Sequence, residues 1–148
     1  MKRINLICWF VFLGLLGAYV ISGLREYELN ETSFNDETLR MIQSDSGVTL
    51  PKGVRGLNFY YKPPIDPGFA AKLHIPTEAT DAIIQQISAI KNEQINVTGE
   101  LGPRKSWWVP KGAKIHVDRQ SAPKGNYRRT IVTTEGDRTI LYVEWDVI

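Results

Sequence analysis

Cysteine is nearly missing from this chain of 148 residues: the only one is Cys8, and nothing after it can form a disulfide. That excludes a disulfide-stapled scaffold and any four-cysteine zinc or iron–sulfur site. Histidine is scarce too, with only His74 and His116, too few for a histidine-rich metal centre. There is no Gly-x-Ser-x-Gly elbow, no Walker A loop and no dinucleotide fingerprint, so no cofactor is expected. Charge of one sign is in little excess: the formal net charge is +2, too small to argue for a nucleic-acid partner. The hydrophobic fraction of 43% is that of an ordinary folded chain and excludes wholesale disorder.

What is present is unevenly distributed. Leu6 to Ile21 is sixteen residues without a charge, and Ile4 and Asn5 extend it to eighteen. A helix of that length spans about 27 Å, close to a hydrocarbon core of about 30 Å. Lys2 and Arg3 precede it, whereas Arg25 and Glu26 after it cancel. The positive-inside bias then leaves the N-terminus cytoplasmic and the rest extracytoplasmic. Residues 1–24 are therefore read as a single-pass transmembrane anchor. The alternative is a signal peptide cut after Ser22, which would make the protein secreted or periplasmic.

Residues 25–47 hold six carboxylates against two arginines and read as an acidic polar linker. Within it Asn35 or Asp36 could cap a short helix through Leu39 and Ile42, ending before Gly47. Residues 48–148 are expected to be the exported domain.

That domain reads as α+β. Leu57, Phe59 and Tyr61 alternate with polar neighbours, and Phe69, Ala71, Leu73 and Ile75 do so more strictly; both stretches predict strands. Thr77 is the expected cap of an amphipathic helix running to about Asn92, with Ile83 and Ile87 on its apolar side. Residues 92–114 read as loop. A strand over 115–118 follows, then two β-rich runs around Glu135-Gly136-Asp137, a hairpin signal. The expected architecture is an antiparallel sheet of about five strands in the order β-β-α-β-β-β, with one helix packed on a face. A three-residue hairpin loop is expected, because it sets Ile131 against Leu141, Tyr127 against Trp145 and Arg128 against Glu144. Leu141, Val143, Trp145 and Val147 should line the core. Glu144 and Asp146 alternate with them and are expected on a solvated face.

Two candidate sites emerge. His116 and Asp118 are two apart on one strand and share a face; with His74 they could form the centre of a small envelope hydrolase. The denser feature is the segment 104–129. Arg104, Lys105, Lys111, Lys114, Arg119, Lys124, Arg128 and Arg129 are eight basic residues against Asp118 alone. Trp107, Trp108 and Tyr127 are interleaved, and one of the two tryptophans should be buried. Basic residues among aromatics can grip an anionic envelope component or an acidic protein partner. The function expected is a membrane-tethered extracytoplasmic binding module rather than an enzyme.

Overall fold

The computed structural model describes residues 25–63, 66–97 and 99–148. The expected membrane segment lies outside these residues. No helix among the described residues is long and apolar enough to cross a membrane.

Six strands form one antiparallel sheet: β1 (Tyr27–Asn30), β2 (Arg55–Lys62), β3 (Gly68–Ile75), β4 (Lys114–Ser121), β5 (Asn126–Glu135) and β6 (Arg138–Val147). Their spatial order is β1-β2-β3-β6-β5-β4. Two α-helices, α1 (Asp36–Ser46) and α2 (Thr80–Ser88), accompany them. The α+β class holds, with six strands and two α-helices among the described residues in place of about five and one.

The difference comes from residues 25–47, which contribute two elements. β1 pairs with β2, Tyr27 opposite Tyr61 and Leu29 opposite Phe59. α1 starts where the Asn35 side chain accepts the Thr38 N–H at 2.8 Å. It stops at Gly47, whose φ of 69° is the left-handed C-cap conformation. Its Ile42 is completely buried. The cap signals were readable in a stretch whose acidity suggested a linker; burial of one isoleucine against the sheet decided otherwise.

α2 is shorter than expected. Thr77–Ala79 form a 3-10 turn, the α-helix ends at Ser88, and its N-terminus has no side-chain cap. Ile83 and Ile87 are buried as their spacing implied. With Phe59, Phe69, Leu73, Val132, Leu141 and Val143 they form the core on the helix face of the sheet.

The β5–β6 register corrects the expectation. The turn has two residues, Gly136 and Asp137, with Glu135 paired to Arg138. Gly136 sits at φ 65°, which lets the tight turn follow the strand twist. Val132 therefore faces Leu141, Arg128 faces Trp145, and Arg129 faces Glu144. The opposite-charge pair survives with the other arginine. This register also takes Arg129 off the apolar face and places Tyr127 opposite Asp146.

The second face of the sheet is not solvated. Tyr60, Ala70, Ile131, Ile140 and Tyr142 form a second buried cluster with Leu101 and Trp108. The loop between α2 and β4 supplies its cover. Strands buried on both faces read as continuous apolar runs, as in Phe59-Tyr60-Tyr61 and Ile140-Leu141-Tyr142-Val143.

Candidate functional site

The histidine site does not assemble. His74 lies on β3 opposite Ile140, whereas His116 and Asp118 lie on β4. Strands β6 and β5 intervene, so the separation is three strand spacings, about 14 Å. His116 is exposed and its Nε2 is 2.7 Å from the Thr134 hydroxyl. Asp118 is engaged with Arg129, Oδ2 to Nη2 at 3.0 Å. No group of three metal-binding side chains occurs among the described residues.

The basic segment is also divided. Arg129 makes ion pairs with Glu100 at 2.9 Å and Asp118 at 3.0 Å. The hydrogen bonds that its guanidinium donates to the Asp118 carboxylate hold it charged more firmly than usual. Lys105 pairs with Glu28 at 2.7 Å and lies 3.3 Å from the Tyr60 ring centre. Arg119 donates to the backbone carbonyl of Asp118. Arg128 is half-buried beneath Gly47, at the C-terminal end of α1, where helix carbonyls favour a cation. Trp108 is buried and Trp107 half-buried, meeting edge to face. Four of the eight basic residues remain exposed: Arg104, Lys111, Lys114 and Lys124.

The charge chemistry gathers instead under the loop on the second face. Glu144 and Asp146, expected in solvent, are buried. Glu144 is fully enclosed; its carboxylate accepts the backbone N–H of Leu101, and Oε2 has no partner among the described residues. Burial pushes its carboxyl from the ordinary value up to about 7, against the Leu101 hydrogen bond that lowers it. Burial raises Asp146 too, while the Lys62 ammonium, 3.2 Å away, opposes the shift. Tyr127 donates to Glu100 at 3.0 Å, and its phenol is held up by burial and by the nearby Glu144 and Glu100. Farther along the face, Glu135 accepts from Lys72 at 2.8 Å and from the Tyr142 hydroxyl.

Comparison with family models, curated proteins and solved structures finds no match to the chain.

The covering loop closes this polar layer. Leu101 is buried, and Trp108 meets Tyr142 edge to face at 5.0 Å. Gly102 is required there: an added Cβ would lie 2.4 Å from the Trp108 indole. The layer therefore latches the loop to the sheet; its ionised groups pair with one another, and Lys62 and Asp146 also line an open recess of about 440 Å³ with Asp66 and Asn96. Sequence reading missed this because Glu100, Leu101 and Trp108 sit among glycines and prolines that signal only loop. The signal that was available is the apolar character of both faces of β2 and β6, in Phe59-Tyr60-Tyr61 and Ile140-Leu141-Tyr142-Val143.

Proposed function

We propose that the protein is a membrane-tethered, extracytoplasmic binding module. Residues 4–21 are the tether, and an anionic envelope component is its partner. The observation that carries this reading is the separation of His74 from His116 and Asp118 across three strand spacings. The residues of the hydrolase alternative thus have no common pocket, while exposed lysines remain on the surface.

The partner-facing residues contract to Lys111 and Lys114. Lys114 opens β4, the edge strand farthest from β1, and its row runs through Thr134 and Thr139 to Ile75. Tyr27, where the sheet begins after the tether, lies in the row of Tyr61, Phe69 and Trp145. The two residues occupy diagonal corners, roughly 30 Å apart on a flat sheet. That exceeds two Debye lengths at physiological salt, about 8 Å each. Lys111 and Lys114 therefore address a component away from the tethering bilayer.

Neutral vesicles carrying the full chain should cluster with anionic vesicles that lack it, and salt should weaken the clustering. The paired change Lys111→Gln with Lys114→Gln should abolish it. Clustering that survives both changes would remove this surface from the function.

A further inference from the structure

We propose that the strand-end rim beginning at Tyr27 is a membrane-docking surface, which holds the domain against the bilayer that tethers it. This rests on the tether reading and adds an orientation to it. Four aromatic residues stand in one row across four neighbouring strands: Tyr27 opposite Tyr61, Tyr61 opposite Phe69, and Phe69 opposite Trp145. The outer pair, Tyr27 and Tyr61, stack with ring centres 5.2 Å apart, and Phe69 and Trp145 stack at 5.9 Å. Only Phe69 is fully enclosed; Tyr61 and Trp145 are half-buried and Tyr27 is 42% exposed. Tyrosine and tryptophan with one wet edge are the side chains that settle at a membrane–water interface.

The same rim carries the exposed apolar residues. Among the described residues four large hydrophobic side chains are exposed: Tyr27, Val147, Ile148 and Ile115. Three of them are at this end of the sheet, since Val147 and Ile148 follow Trp145 on β6. Ile115 alone is at the other end. Chance scatter of surface apolar residues needs no explanation, but their concentration beside an aromatic row does.

Chain length names the occupant. Six Cα steps separate Ile21, the last residue of the apolar run, from Tyr27. At about 3.6 Å per step they reach no farther than about 22 Å. A rim that starts at Tyr27 is thus held within reach of the headgroup layer, and the bilayer is the apolar surface always present there. Exposed Lys124 and Arg25 lie at this end, but so do Glu26, Asp66 and, beside Tyr27, Glu37. These charges carry no positive excess, so docking is apolar in character and does not need anionic lipid.

The test uses the full chain reconstituted in phosphatidylcholine vesicles, with and without bromine on the acyl chains. Trp9→Phe removes the emitter in the tether and leaves Trp107, Trp108 and Trp145. In that background brominated lipid should quench part of the emission at low and high salt alike. Trp145→Phe, which keeps a stacking ring on Phe69, should remove the quenched part. Conversely, Tyr27→Trp should add a quenched emitter, whereas Lys111→Trp should add an unquenched one. A chain that stays with the vesicles through an alkaline wash but shows the same quenching for the Tyr27 and Lys111 variants would overturn the docking surface alone. A chain released by that wash would overturn the tether and the docking surface with it.

Discussion

The backbone N–H of Leu101 donates to the carboxylate of Glu144, tying a loop rich in glycine and proline to the central pair of strands. The bond sits where Glu144 is fully enclosed and Leu101 is 4% exposed, so water does not compete for it. Neutral at low pH and ionised above neutrality, this carboxyl couples the cover of the second face to proton concentration.

Replacing Glu144 by Gln tests that coupling. The folded carboxyl stands at about 7, above its ordinary value near 4.5. The stability linked to it is fully present below the ordinary value and is lost as pH rises through 7. Gln mimics the neutral acid and carries no such loss. The stability of Glu144→Gln relative to the native chain should therefore grow by about 2–3 kcal/mol between pH 5 and pH 8. Denaturant unfolding at several pH values measures it, and a difference independent of pH would contradict the assignment.

Gly102→Ala should disturb the same loop from its other side. The new methyl would press on Trp108, which is wedged against Tyr142. Overpacking of this kind costs about 1–3 kcal/mol. Tryptophan emission should shift to the red as the indole gains water; a blue-edge spectrum with unchanged melting would show that the loop absorbs the methyl.

On the helix face, Ile87→Ala should cost about 2–5 kcal/mol, because Ile87 is wholly buried in the core. Lys111→Gln, at an exposed position, should stay within about 0.5 kcal/mol. Thermal melting of the pair checks that the α2 face is oriented as described.

The start of the folding unit is open to a truncation test. A chain beginning at Arg25 keeps β1 and α1 and should melt cooperatively. One beginning at Ser46 loses Ile42 from the core and uncovers Phe59, which both Phe34 and Tyr27 contact through ring faces or edges. It should aggregate or melt at lower temperature. Equal melting would return residues 25–45 to the role of a linker.

Arg129→Gln should be destabilising, since it strips a shared partner from Glu100 and Asp118. The three side chains are 21–33% exposed, which screens the loss to about 1–3 kcal/mol. Adding salt should shrink the difference between the variant and the native chain.

Several elements were legible in the residues because their signals are local. The alternation of Phe69, Ala71, Leu73 and Ile75 marks β3, the 83/87 spacing marks the α2 face, and Asn35 with Gly47 marks both ends of α1. A hairpin around Gly136 followed from the same logic, but its register did not. Two- and three-residue loops differ by one position, and each offered an arginine to Glu144. What separated them is that only one places Arg129 over Asp118 and Glu100, residues eleven and twenty-nine positions away.

By itself the sequence determined an α+β domain with an antiparallel sheet, the apolar run over residues 4–21, and the apolar positions of β3 and α2, since hydrophobic period is a property of neighbours along the chain; on β6 it marked Leu141 and Val143 as core but also Val147, which is exposed. Tertiary structure alone decided that Glu144 and Asp146 are buried, that His74 is parted from His116, and that the basic segment spends Lys105 and Arg129 on internal pairs. The reason is physical: whether a charged side chain meets water or a partner depends on what covers its face, and here the cover is a loop whose own residues carry no periodic signal.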